Sequence, residues 1–561
     1  MSALRTSSRA EQLAPWIAGA LVALPILVAR YPPMADLPLH EAIVGLLRHW
    51  GDPSFVPPDV YEFHPGHPNQ LFYFLALALS YVVRTDTAMK LVAAAAVCLM
   101  PVAAARLADH LGVTRWTSLL VAPVALGWMF FWGLLALMIG LDLYLFALPT
   151  IDRFCEKPTR RTLAVACGWI VLLHFAHDAM SLTAGATIVL FTMTSWKGWR
   201  ANAMRLGVAA LAMAVFEGSR LQEMRVWTSY QKDALPYVFT PLAHKVLTAP
   251  GALFGGYDTS IRNAIFGLSA LPMVLFAIER WKNRSALPAS WRERAHHFRF
   301  ELLAAALLLL YLVAPQQMKW TTLIYHRFLP PAWILLALTV ATRRKLDPPW
   351  RLPRLIVAVV PLAPVLVAWP HFVDSDHQYR DLDDVMAHIA KDSTLVVLEL
   401  GPTNVYELYQ PASCGGHVVA TLGGRELFDF TQSPVSPVVL RPEKQWVEVF
   451  RRVDQHAYDL VPDHDLQMFR YVLLHTTDFN IAEIGRLALE PEARLVFAKG
   501  DWTLLESTLP LVPIDSVEQP LKRPHGPTLR KRALAVMEHY DPAHAIAPPA
   551  DPGEATHERA P

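Results

Sequence analysis

Three ionisable side chains, Asp36, His40 and Glu41, crowd into RYPPMADLPLHEAIVGLLRHW, residues 30–50, where the chain leaves its first apolar run. A carboxylate placed there has two uses. Aspartate before Leu-Pro commonly starts a helix as its N-cap, and it serves equally as a general base or metal ligand held at a membrane boundary. His40 follows one helical turn later, so the two side chains can share a face. A second constellation, LLHFAHDAM, sets His174 and His177 one turn apart with Asp178 beside them. That spacing suits a shared ligand or a divalent metal ion, or else an interface where Asp178 caps the next helix. In a third, LIYHRFLPPAW, Arg327 either snorkels to the interface or grips a phosphate with its fork of donors. His326 and Lys319 add donors beside it. Asp142, near the middle of an apolar run, is the one charge that reads as intramembrane, where ionisable groups are costly unless they serve a site. His64 and His67 in FHPGHPNQ either line a cleft or face water, and GWMFFWG reads as an outer turn of interface anchors.

The elements that must position these groups are membrane spans. The chain has 561 residues, 53% hydrophobic and 18% charged, too little charge to wet a soluble protein of this size. Its apolar blocks have bilayer-spanning lengths: residues 14–31, 88–108, 116–131, 133–150, 162–178, 180–195, 202–217, 262–280, 300–315, 328–342 and 353–370. The connecting loops segregate by charge. IDRFCEKPTRR, SWKGWRANAMR, ERWKNRSALPASWRERAHHFR and RRKLDPPWRLPR carry the Lys and Arg and belong inside. Residues 70–84 are apolar but short, and counting them as a crossing would put every later basic loop on the wrong side. They are therefore read as lying along the outer interface, within a large first outer loop of residues 32–87. Leu39, Ile43, Leu46, Leu47 and Trp50 give that loop an amphipathic surface helix, with His40, Arg48 and His49 on its polar side. The N-terminus, with Arg5 and Arg9, is read as cytoplasmic and the first span as uncleaved.

Beyond residue 370 the composition becomes that of a soluble α/β domain, residues 371–519, on the outer side. STLVVLEL, GHVVATL, FRYVLLH and the hairpin ARLVFAKGDWTLLES read as strands, and DLDDVMAHIAK and EKQWVEVFRRVD as helices. The tail, residues 520–561, has the composition of a poorly ordered extension. A net charge of +1 gives no sign of a nucleic-acid partner, and four scattered cysteines make no disulfide scaffold. The fold class is mainly α: a polytopic helical bundle of about eleven spans, residues 1–370, with a small C-terminal α/β domain.

With MADLPLH, HPNQLFYFLALALSYV, FAHD and YHRFLPP in these positions, the chain resembles the GT-C glycosyltransferases, integral membrane enzymes that use polyprenyl-phosphate-linked sugars. The likeness covers roughly residues 14–370 and is architectural more than literal. It implies a multi-pass protein of the cytoplasmic membrane, a lipid-linked sugar donor and an extracytoplasmic acceptor. It further implies that Asp36 activates the acceptor hydroxyl or helps hold a divalent cation on the carrier phosphate. His40 would orient Asp36 or join it, and Arg327 would neutralise the departing phosphate. One departure stands out: many members carry a second acid in the next outer loop, and here GWMFFWG has none, leaving Asp178 as a substitute or the centre degenerate. A transporter or flippase, hinted at by Asp142, and a silent scaffold are the alternatives from other classes.

Overall fold

The computed structural model describes residues 8–540, apart from residues 58, 225–236, 283–289, 319–320, 341–356, 358, 401–410, 428–429, 442–443, 445–448, 450–452, 454–455 and 513–525. The first span is helix α1, Arg9–Val28, started by Ser8, whose hydroxyl accepts from the Glu11 N–H at 3.2 Å. After it come α2 (Leu37–Arg48), α3 (Leu71–Ser80) and α4 (Thr85–Leu111). Helices α5 (Ala122–Ala125), α6 (Trp128–Trp132), α7 (Leu135–Glu156), α8 (Arg160–Ala176), α9 (Asp178–Thr194) and α10 (Trp199–Glu223) follow. Further long helices are Thr259–Lys282, Arg299–Val313, Leu329–Val340 and Leu362–Gln378. Among the described residues, four helices are both long and apolar enough to cross a membrane by themselves: α1, α4, α7 and Thr259–Ile278. The others are shorter or more polar, and the positions of their ends show that they run the same way.

Those ends fall into two sets. At one, Asp152 takes His110 at 2.7 Å and Arg299 at 2.6 Å, and Lys197 meets Glu156 at 3.5 Å. Three of the four basic loops thus converge on one end of the bundle; the fourth, RRKLDPPWRLPR, lies outside the described residues. At the other end, Arg30 and Tyr31 N–H groups reach the Asp376 carboxylate, and the Gln70 N–H reaches the Phe175 carbonyl. The short α3 begins and α4 starts at this same end, so residues 70–84 start and finish at one end of the bundle.

The expected span over residues 116–131 is the exception in form. It is broken into a 3-10 stretch, Arg115–Val121, and the short α5 and α6. It still runs from one end of the bundle to the other. Thr114 and Arg115 bond Glu11 at the start of α1, while the Phe131 and Trp132 carbonyls meet Ala35 and Asp36 beyond the far end of α1. A broken backbone survives at membrane depth only when shielded by protein, and Ser118 to Phe131 are buried apart from none.

The C-terminal part holds a five-stranded sheet in the order Arg425–Glu426, Thr394–Glu399, Tyr471–His475, Trp502–Ser507, Ala493–Lys499. The first three are parallel, and the last two form the expected Gly-Asp hairpin. Two expectations are corrected. GHVVATL is a helix, Gly415–Leu422, rather than a strand: Val419 packs into the core of the bundle, while Val418 and Leu422 pack with the C-terminal sheet. The tail contains a helix, Leu529–Met537, docked by buried Leu529 and by Arg532 on Glu492. Most of EKQWVEVFRRVD lies outside the described residues.

The largest correction concerns α2. Instead of lying on a membrane surface with a wet polar face, it is buried on all sides from Leu37 to Leu47. Helix Gly415–Leu422 closes over the face that would have been polar. The approach is so tight that a Cβ on Gly45 would lie 2.7 Å from the Ala420 Cα. Replacing Gly45 by Val should therefore destabilise the protein by about 1–3 kcal/mol. Gly168→Ala, where the added Cβ meets nothing within 4 Å, should be neutral or gain about 0.5–1 kcal/mol. Thermal unfolding of both variants in detergent checks the pair.

Candidate active site

Asp36 opens α2 yet does not cap it: its carboxylate takes no hydrogen bond from any described residue. The backbone around it is fixed instead. Ala35 and Asp36 donate their N–H groups to the carbonyls of Phe131 and Trp132, at 2.9 and 3.3 Å. Gly133 follows with φ +78°, and a Cβ there would lie 2.8 Å from the Asp36 nitrogen. Only glycine suits both the left-handed turn and the close approach. GWMFFWG is thus the cradle of Asp36 and not a belt of interface anchors; Phe130 and Phe131 are buried. Held beside this wall without a donor, the partly exposed Asp36 carboxyl is pushed up to about 7 by burial.

His40 lies one turn on, but its ring turns away from the Asp36 carboxylate. Nε2 sits 3.2 Å from the Gly133 carbonyl and Nδ1 2.8 Å from the Tyr73 hydroxyl. A carbonyl only accepts, so Nε2 carries the proton and Nδ1 accepts from Tyr73. Burial drives His40 down to about 3, so it is neutral at physiological pH. Tyr73 is pushed well above its usual value by burial and by nearby Asp36. His40 and Tyr73 are therefore a neutral brace between α2, α3 and the Gly133 turn. Glu41, facing the other way, meets His417 at 2.5 Å.

Arg327 belongs to a second cluster at the same end of the bundle. It sits on a 3-10 turn, Tyr325–Phe328, and its guanidinium makes a single hydrogen bond among the described residues, to the Thr322 carbonyl at 3.3 Å. Its remaining donors are uncommitted, and Asp178 is the acid that attracts it. His326 is sandwiched between Trp128 and Tyr325, ring centroids 4.8 and 4.0 Å away, and its Nδ1 is buried without a partner. Lys245, unforeseen in the sequence, lies 4.5 Å above the Tyr325 ring. Lys319 lies outside the described residues. The two clusters are linked through α6, whose Trp128 stacks on His326 while its Trp132 carbonyl binds Asp36.

His174, His177 and Asp178 do not form a metal-ligand set. Helix α8 stops at Ala176 and His177 is extended, with φ −165° and ψ 121°, so the helical spacing that would align it with His174 is lost. His177 Nδ1 instead accepts from the Ala179 N–H at 3.2 Å, and the Asp178 N–H donates to Asn69 at 3.3 Å. Among the described residues no three His, Cys, Asp or Glu side chains are grouped to hold a metal ion, so the donor set does not fit a resident cation. His64 and His67 stack at 3.8 Å, with His67 buried. Asp142 is buried in α7 with neither carboxylate oxygen paired.

No family model and no curated protein matches the sequence. Structural neighbours include two crystal structures of ArnT from Cupriavidus metallidurans. The form bound to undecaprenyl phosphate is 10% identical, with 90% of this chain and 100% of that one covered at a TM-score of 0.48. The apo form is 12% identical, with 87% and 96% covered at a TM-score of 0.49.

The environment of Asp36 makes a claim about stability. An acid whose folded pKa lies above its unfolded value binds its proton more tightly when folded. Its contribution is favourable at low pH and is lost as pH rises from about 4 to about 7. Asp36→Asn should therefore unfold at a higher temperature than the parent at pH 8, with the gap narrowing as pH falls below about 7 and closing only near pH 4. A helix cap would behave oppositely, losing stability at pH 8 on removal of its charge.

Proposed function

We propose that this protein is an integral membrane glycosyltransferase that moves a sugar from a polyprenyl-phosphate donor to an acceptor hydroxyl. The observation that carries this reading is the Asp36 carboxylate: unpartnered, partly exposed, and titrating near the operating range of a general base. The acceptor O–H gives its proton to Asp36 as the acceptor oxygen bonds to the anomeric carbon. The bond from that carbon to the phosphate oxygen breaks, and the polyprenyl phosphate leaves with one more negative charge. Arg327, with its donors uncommitted, offsets that charge, and His326 beside it is a helper. Two clusters at one end of the bundle suit a headgroup lying at the membrane boundary, with the lipid chain among the helices.

The four basic loops support an inside N-terminus and an extracytoplasmic C-terminal domain in the cytoplasmic membrane. In a cysteine-free background, Arg494→Cys should react with an impermeant maleimide from outside intact cells; reaction from the cytoplasmic side alone would reverse the topology.

A second reading, a transporter, draws on one observation, the unpaired Asp142 within the bundle. The variants separate the two. Asp36→Asn should lose sugar transfer by about a hundredfold or more while keeping donor binding, and Asp142→Asn should retain transfer. The reverse pattern would favour transport. Arg327→Lys should bind the undecaprenyl-phosphate headgroup roughly tenfold to a hundredfold more weakly, the scale of a lost charge-assisted pair of about 1.5–3 kcal/mol. Parent-like binding by the lysine variant would leave Arg327 as an interface anchor.

A further inference from the structure

The C-terminal domain touches the Asp36 helix at several points. Helix Gly415–Leu422 lies along α2, and a Cβ on Gly416 would fall 2.2 Å from the Pro38 carbonyl oxygen, two residues beyond Asp36. Phe430 packs on His40 with ring centroids 4.8 Å apart. Strand Val438–Leu440 pairs with Tyr61–Phe63, and Gln70 donates to the Val435 carbonyl at 3.0 Å. The Glu41–His417 contact lies at the centre of this interface, both residues buried and His417 flanked by Tyr31 and Tyr379 at 5.0 and 5.8 Å.

A buried polar pair of this kind adds little net stability over apolar packing, but it fixes register. Here the register is that of the helix carrying Asp36. We infer that the C-terminal domain is a working part of the active site, with His417 a positioning residue that sets Asp36 through Glu41; the inference rests on the function proposed above. Without the pair, the close glycine contacts still hold α2 against Gly415–Leu422, but no hydrogen bond sets the fine rotation of α2 that aims Asp36. Asp36 would move relative to the Gly133 wall, while Arg327, on a separate element, would stay in place. Displacements of about 1 Å at a reacting group cost on the order of a hundredfold in rate.

The test uses the full-length protein in lipid. His417→Leu removes the donor, and His417→Asn keeps an amide N–H near the position of Nδ1. The leucine variant should lose at least about tenfold in kcat with the donor KM unchanged within about twofold, and asparagine should restore most of the loss. A second readout needs no turnover: modification of Asp36 by a water-soluble carbodiimide, followed by peptide mass spectrometry. Its rate should change severalfold in the leucine variant and return in the asparagine one. Should the leucine variant not fold, His417→Gln takes its place, since its donor lies one bond further out. Parent-like kcat and labelling in the folded leucine or glutamine variant would overturn the inference. So would equal losses of kcat, donor affinity and stability that asparagine fails to rescue, because that is the mark of a purely structural pair. A parent protein that transfers no sugar would sink the proposed function, while the Asp36 labelling would still decide the positioning.

Discussion

A carboxylate without a partner persists in a folded protein only where its surroundings leave it nowhere else to go. Asp36 is in that position. Its own N–H and that of Ala35 are committed to α6 carbonyls, Gly133 presses against its backbone, and α2 behind it is buried on every side. The acid is thus left without a hydrogen-bond partner among the described residues while the backbone that carries it is pinned. Burial that raises its pKa is unfavourable to the fold at neutral pH, and this is the expected trade where a group is kept reactive at the expense of stability.

The frame depends on contacts between distant parts of the chain. The apolar core of the bundle runs without a break into the C-terminal domain, taking in Val419, Val438 and Leu440. The sheet is a separate core behind it. Roles divide by charge state. Asp36, pushed to about 7, can take up and release a proton. His40, held near 3, stays neutral and serves as a strut. Arg327 keeps its charge and offers open donors.

Much of this was legible in the sequence because local signals carried it. Hydropathy and loop charge gave the bundle and the non-crossing α3, and alternation with a Gly-Asp turn gave the final hairpin. Asp36, His326 and Arg327 stand out in the sequence by type and position, and the fold sets all three at one end of the bundle. What was not legible depends on partners far along the chain. Nothing in α2 announces that its polar face is covered by Gly415–Leu422, a segment whose β-branched residues read as a strand although Val418 and Val419 pack on two different cores from one helix. The same holds for Tyr73 on His40, and for the Gly133 turn under Asp36. For LLHFAHDAM the failure is local: the spacing presumed one continuous helix, and the chain breaks at His177.

The central claim is that Asp36 works as a base whose pKa is set near 7 by burial. The pH dependence of kcat/KM for sugar transfer tests it most directly, measured on the protein in lipid. The account predicts a value that rises with unit slope in log kcat/KM from acid pH, bends at about 7 and levels off above it, because only the ionised carboxylate accepts the acceptor's proton. A value already on its plateau at pH 5, as for a carboxylate of ordinary pKa or for chemistry that does not use Asp36, would contradict it.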